Sequence, residues 1–559
     1  MERQEPVRDE IAAPNSFDRR ELLRRVGFGT GAIALGTAFG LPAAFGTPPQ
    51  VAAQDAPGGG TLIEGSALTI EALAPLVDAN RATLFLFDTL VSTNAETLEP
   101  QPNLAASWEF APAELTYTFK LQNGVTFHDG QPLTADDVKF TLDLLLNEAT
   151  ASPYYSIFAD RIASVAAPDP ATVVVTLKRP IATFLNDLSA YSIGILPKHL
   201  LADVKPEDLK ASEFATAKPV GTGPFKLKEY RPGEAVLLEA NPDYHRGAPK
   251  IGEYVLKIVR DSTVAYQQLK TGEVDVAPIG ADFYEDAQAQ DAFTPVVIDT
   301  FALNILGFNL DPATGPAALQ DLKVRQAIAH AIDRQLIVDR IYAGLGTVAV
   351  GTEPPPSGAN APDQIKVTYD YDPAKAASLL DEAGWVAGSG GTRAKDGQKL
   401  ALTALGNATR KADEGALLAI QEFLAAVGIE LTPQLEADAF WDKLLSHDFQ
   451  VALVNFTFPA DPDQSLAWAS DSTFNAWSYK SEAVDDLLKR GLETQDPEAR
   501  TPIYIEMQNI LLADLPGYVL HFDQRVTGVS NRVQNYKPSA VGYYWAVHYD
   551  APTWTVTGA

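Results

Sequence analysis

Residues 104–146 read LAASWEFAPAELTYTFKLQNGVTFHDGQPLTADDVKFTLDLLL, and this one stretch carries two different periodicities. Tyr117, Phe119 and Leu121 alternate with Thr118 and Lys120, the period of two that a half-buried strand requires. Asn123-Gly124 follows, a dipeptide suited to tight turns because it tolerates positive φ, so the spacing predicts a β-hairpin returning through Val125 to Phe127. Thr134 and Asp137 then stand at capping-box spacing. Val138, Leu142 and Leu145 recur on one face, which predicts a helix from Ala135 to Leu146. His128, Asp129 and Gly130 lie between the two elements. A histidine beside a carboxylate could suggest catalysis, but Asp-Gly is a turn dipeptide and the segment reads as a turn.

Working outward, Thr172 to Leu177 (TVVVTL) is a further strand. Asp321 is placed to cap a helix bearing Val324, Ile328, Ala331 and Ile332, and Asp333 to cap a second bearing Leu336, Ile337 and Ile341. Strand and helix signals interleave without a fixed repeat, so the fold class is mixed α/β with several lobes. A chain of 559 residues has ample length for several buried cores.

Acidic residues outnumber basic ones by 72 to 43, a net charge of −29 that repels phosphate backbones and excludes nucleic acid as a partner. That acidity is read as a solubility device rather than as a cation site. The sequence contains 0 cysteines, so disulfides, thiolate metal sites and cysteine nucleophiles are excluded, and no lipid anchor through cysteine is expected. The histidines, His128, His199, His245, His330, His447, His521 and His548, show no metal-ligand spacing, and neither a metal nor a cofactor is expected. No Gly-x-Ser-x-Gly, His-Glu-x-x-His or phosphate-binding loop is present, so no catalytic residue is assigned and a secreted hydrolase is disfavoured.

The N-terminus reads as an address. Arg19 and Arg20, within Asp18 to Arg25 (DRRELLRR), precede an uncharged, glycine-rich stretch from Val26 to Gln50, and Val51, Ala52 and Ala53 supply small residues for cleavage. The pattern predicts a twin-arginine-type export signal over residues 1–53 and a periplasmic or otherwise extracytoplasmic location, with a retained membrane anchor as the alternative.

From residue 104 onward the blocks accumulate: PVGTGPFKLKEYRPGEAVLLEANPDYHRG (219–247), DSTVAYQQLKTGEVDV (261–276), FNLDPATGPAALQDLKVRQAIAHAIDR (308–334), YDPAKAASLLDEAGW (371–385) and the terminal pattern of 481–520. Together with 104–146 they resemble the extracytoplasmic peptide- and nickel-type solute-binding proteins, bacterial family 5. The resemblance implies an α/β two-lobed periplasmic-binding-protein clamp with an extra domain on the first lobe. Its expected layout is a discontinuous first lobe (57–95, 190–300 and 521–559), the extra domain (96–189) and the second lobe (301–520). It further implies capture of a small-molecule or peptide ligand by a monomer serving the permease subunits of an ABC importer, with a carbohydrate or metal chelate as alternative ligand.

One segment departs from the pattern. Peptide-binding relatives carry a Gly-Trp pair and then an aspartate for the peptide amine, just before Asp-Pro-Asp. Aligning Asp461, Pro462 and Asp463 to that end puts Asn455 at the tryptophan and Phe458 at the aspartate. A desolvated ammonium without a charged partner is costly, so the resemblance predicts no amine anchor there unless Asp461 substitutes. The expected ligand-binding residues are Gly65 and Ser66 at the start of the fold, and Asn455, Phe458, Asp461, Trp477 and Tyr479 from the second lobe.

Overall fold

The structure, a computed structural model, describes residues 59–190, 193–388, 390–538 and 549–557, so the expected export signal over residues 1–53 lies outside the described residues. The two longest strands among them, Phe293–Phe308 and Gly517–Ser530, run antiparallel side by side, from Phe293 opposite Ser530 to Gly307 opposite Gly517. Their register shifts between Asp299 and Leu303, and again at Asn304 and Ile305. At one end the pair bonds to Val276–Ile279, followed by Thr61–Ser66, Glu253–Ile258, Ala235–Ala240 and Phe225–Arg231. At the other it bonds to Val451–Thr457, followed by Ala401–Asn407 and Glu430–Glu436. With Gly346–Val348 beside Gly517–Ser530, this mixed sheet has 11 strands.

The buried apolar residues divide along the same line. Leu62, Phe85, Phe119, Val236 and Tyr254 belong to one cluster. Leu306, Ile328, Ile420, Leu453 and Tyr518 belong to a second, and Ile305, Val454, Trp477, Tyr504 and Phe522 to a third. Each half therefore buries its own core, and the two long strands join them as an α/β two-lobed clamp. No helix of the described residues is long and apolar enough to cross a membrane.

A second sheet rides on the first half, with Ala105–Ala111, Thr116–Leu121, Thr172–Leu177 and Ile162–Asp169 in antiparallel order. Tyr117, Phe119 and Leu121 are buried against Val173, Val175 and Leu177, as the alternation predicts. The helix spans Ala135–Leu145 with Thr134 and Asp137 in a capping box, and buries Val138, Leu142 and Leu145. The hairpin across Asn123-Gly124 does not form. Thr116–Leu121 has strand neighbours on both edges, which leaves no edge for Val125 to Phe127. Residues 125–133 instead fold back on themselves, with Phe127 N–H donating to Gln131 O at 2.8 Å and Leu133 N–H to Val125 O at 2.9 Å. The helices Leu322–Ala331 and Arg334–Ile341 are capped by the side chains of Asp321 and Asp333.

The turn at His128 is a stitch between segments. Gly221 N–H donates to His128 Nδ1 at 3.2 Å, and His128 Nε2 lies 3.1 Å from Gly223 O. Burial pushes the imidazole down to about 4, so the ring is neutral and fits the accepting Nδ1 and donating Nε2 that these contacts need. Gly221 and Gly223 are required by close approach. A Cβ on Gly221 would lie 1.9 Å from Leu86 O, and one on Gly223 2.3 Å from Phe85 O.

Glu353 is fully enclosed in the second half near Asp461, Asp463 and Arg500. Its Oε2 accepts from Ser357 Oγ at 2.6 Å. Burial, reinforced by the two aspartates against the Ser357 bond, pushes its carboxyl up to about 8 from an ordinary 4.5. The native state thus holds a proton that the unfolded chain releases, and stability falls as pH rises from about 4.5 to about 8. Glu353→Gln should flatten this decline and unfold at a higher temperature than wild type at alkaline pH. Thermal unfolding across the pH range checks it, and parallel curves for the two proteins would contradict it.

Candidate ligand-binding cleft

A cavity of about 610 Å³ opens where the two halves meet, within the range of roughly 300–1,000 Å³ typical of small-molecule sites. The first half contributes Glu64 to Leu68, Arg81 and Val276 to Ile279, and the second contributes Tyr342, Arg410 and Thr457. The crossing strands supply Ile298, Thr300, Phe301 and Asp523 to Thr527, and Tyr536 and Pro538 complete the wall.

On the first-half side, Glu64 is a lone charge in the buried strand Thr61–Ser66, and Arg81 opens the helix Arg81–Leu86, where Asn80 supplies the cap. Arg81 grips the carboxylate with both edges of its fork, Nε to Oε1 at 2.5 Å and Nη2 to Oε2 at 2.7 Å. Tyr254 OH also donates to Glu64 Oε2, and Arg81 Nη2 reaches Tyr536 OH at 2.9 Å. Burial alone would pull the guanidinium down, but the Glu64 charge more than reverses this and holds it protonated well above its ordinary range.

On the second-half side, the crossing strands bring Asn304, His521 and Asp523 together. Asn304 Nδ2 donates to Asp523 Oδ1 at 2.5 Å, and His521 Nε2 lies 3.3 Å from the same oxygen. Asn455 Nδ2 donates to Asp523 Oδ2 at 2.9 Å. Burial pushes the Asp523 carboxyl up, yet its bonds to His521 and Asn304 and the Arg410 charge prevail and hold it below the ordinary aspartate range. Arg410 occupies the N-cap position of the helix Lys411–Ala426 without a side-chain cap bond, and donates from Nη2 to Asn304 Oδ1 at 3.1 Å. Its Nε lies 3.2 Å from the buried Asp413 and its Nη2 3.9 Å from Asp523 Oδ2. Burial pushes the Asp413 carboxyl up to about 6, against the pull of Arg410. Asp413 therefore supports Arg410 without reaching the cavity wall.

Of the expected ligand residues, Gly65 and Ser66 line the cavity, and Asn455 touches it through Asp523. Four others lie elsewhere. Phe458 is 5% exposed in the apolar cluster with Phe456 and Trp477. Asp461 forms a two-pronged ion pair with Arg500, both bonds at 2.7 Å, and is not part of the cavity wall. Trp477 is fully buried, lies edge-on to Phe449 and Phe456, and fills the space a Cβ on Gly307 would need. Tyr479 is buried and donates to Asp514 Oδ2 at 2.7 Å. Each is a large or charged group whose partners come from its own half, so core packing claims it.

Arg81, Arg410 and Asp523 are absent from the sequence expectations, although each carries a local signal. Arg410 and Lys411 place two positive charges at a helix start, against the helix dipole. Glu64 and Arg81 each stand alone among apolar neighbours, and the polar run from His521 to Arg525 interrupts a long strand. Among the described residues, no group of three or more histidines and acidic residues is arranged to hold a metal ion.

The sequence profile of bacterial extracellular solute-binding proteins, family 5 Middle, matches residues 99–477. The oligopeptide-binding protein AppA of Bacillus subtilis is 31% identical over 463 residues, covering 81% of this chain and 83% of its own length. The dipeptide-binding protein of Escherichia coli is 29% identical over 496 residues, covering 82% and 87%. Among solved structures, AppA in complex with a nonapeptide superposes with a TM-score of 0.72 at 29% identity, covering 90% of this chain and 100% of that one. NikZ from Campylobacter jejuni in complex with Ni(L-His) superposes with a TM-score of 0.74 at 27% identity, covering 89% and 99%.

The position of Phe458 fixes what a carboxylate would do there. Phe458→Asp removes a packed aromatic ring, a loss of about 3–5 kcal/mol for truncation alone, and buries a charge without a partner. The variant should melt well below wild type and gain no affinity for peptides with free amino termini. An unchanged melting temperature together with tighter binding of such peptides would show that the side chain faces the ligand.

Proposed function

This chain belongs to family 5 of the bacterial extracellular solute-binding proteins, and from that premise we propose that it captures a peptide or peptide-like solute between its lobes and presents it to the permease subunits of an ABC importer. The single observation that carries the ligand reading is Arg410. Its side chain is 29% exposed at the cavity wall beside a helix N-terminus, and Asn304 and Asp413 hold it from behind. A planar guanidinium has five N–H donors, so these contacts leave donors for a ligand carboxylate.

The lobes are read as 57–95, 190–300 and 521–559 for the first, 301–520 for the second, and 96–189 for the extra domain. The register break between Asp299 and Leu303 supports a hinge at that boundary. Contacts across the cleft support closure. Lys411 Nζ meets Asp282 Oδ2 at 2.7 Å, Ala182 N–H donates to Leu492 O at 2.8 Å, and Tyr117 OH lies 3.3 Å from Gln495 Oε1. Ligand contacts made by both lobes would favour the closed population, which the importer reads. The function is capture without chemistry, as in the binding proteins named above. We read the protein as a monomer exported through a twin-arginine-type signal in residues 1–53 and held by no cysteine-linked lipid.

Isothermal titration with a set of di- and tripeptides tests this reading. Arg410→Ala should weaken binding of carboxylate-bearing peptides by about 10- to 100-fold, the worth of a charge-assisted hydrogen bond, with Arg410→Lys in between. C-terminal amides should lose little on the same substitution. Failure of wild type to bind any peptide, or equal affinity in Arg410→Ala, would overturn it.

A further inference from the structure

The cleft's charged groups are arranged to refuse a cation. Its wall carries three guanidinium groups, Arg81, Arg410 and Arg525, against two carboxylates, Glu64 and Asp523. Both carboxylates already hold partners. The oxygens of Glu64 are taken by Arg81 Nε, Arg81 Nη2 and Tyr254 OH. Those of Asp523 accept from Asn304 and Asn455, with His521 and Arg410 beside them.

Nearby carboxylates are committed as well. Asp299 accepts from Gln524 Nε2 at 2.8 Å, Asp282 pairs with Lys411, and Asp413 lies buried behind Arg410. An ammonium entering this cavity would shed its water and meet only carboxylates that already have partners, with guanidinium groups beside them. A carboxylate meets the reverse situation, with the Arg410 guanidinium at the wall and the Tyr536 hydroxyl available to donate. The protein as a whole is strongly acidic, so this donor-rich interior is a local construction.

We propose that the cleft selects solutes that carry a carboxylate and no free amine, either N-capped peptides or other organic acids of similar size. The proposal rests on the reading of this cleft as the ligand site. It adds the charge of the ligand, and the charge can be tested separately from the peptide backbone.

The test titrates the protein with Ala-Leu-Ala in its free, N-acetylated and C-amidated forms, and with linear mono- and dicarboxylic acids of matched length. The expected result is that acetylation raises affinity about tenfold and amidation lowers it about tenfold. A free tripeptide that binds tighter than its acetylated form, or an amide that binds as well as the acid, overturns the proposal. If only the organic acids bind, the proposal stands and the peptide reading falls. If nothing in the panel binds, both fall. Thr457→Asp adds a carboxylate at an exposed position of the wall and should shift the free-to-acetylated affinity ratio at least tenfold toward the free amine. An unmoved ratio in that variant counts against the proposal.

Discussion

The antiparallel pairing of Phe293–Phe308 with Gly517–Ser530 carries the chain from one core to the other, and the cleft takes its geometry from that pairing. At the second-half end, from Phe301 to Phe308 and from Gly517 to Phe522, the strands are buried, whereas at the other end Thr294 and Val297 are exposed. Between the ends the register shifts, and the side chains turn polar where Asn304, His521, Asp523, Gln524 and Arg525 come together. A continuous sheet therefore links two cores through a segment where the register shifts and polar side chains add hydrogen bonds. Such a segment can bend without exposing either core.

The same polar segment sets the chemistry of the wall. Asn304 and His521 are fully buried, and Asn304 Nδ2 donates to His521 Nε2 and to Asp523 Oδ1. Asp523 is thereby bonded at both oxygens, and Asn304, one of its partners, also holds Arg410. Across the cavity, Glu64 and Arg81 repeat the arrangement with Tyr254 and Tyr536 as partners. Two carboxylates are spent on positioning arginines, and the chemical bias of the cleft toward carboxylate ligands follows from that expense.

Much of the fold is legible in the sequence wherever local rules and tertiary contacts agree. The Thr134 capping box, the alternating strand at Tyr117 and the aspartate caps at Asp321 and Asp333 all form as their spacing predicts. Asn123-Gly124 fails as a hairpin because strand pairing is non-local. Its neighbour strand already has both edges filled by segments at either side in the sequence. The site is harder to read for a related reason. Phe458, Trp477 and Tyr479 are the large aromatics that binding sites favour, but their placement against Phe301, Gly307 and Asp514 depends on residues distant in the chain. Arg410 and Asp523 are 113 positions apart in the numbering and acquire meaning only once the sheet has placed them together.

The contacts between Lys411 and Asp282, and between Ala182 and Leu492, cross the cleft without belonging to either core, so a hinge that opens must break them. The cysteine-free sequence makes that motion directly measurable. Spin labels on Lys218→Cys in the first lobe and Lys489→Cys in the second would report the distance between lobes by double electron–electron resonance. With the tightest-binding form of Ala-Leu-Ala or organic acid at saturation, the account predicts a shorter and narrower distance distribution than in the ligand-free protein. A distribution that stays unchanged at saturation would contradict capture by closure.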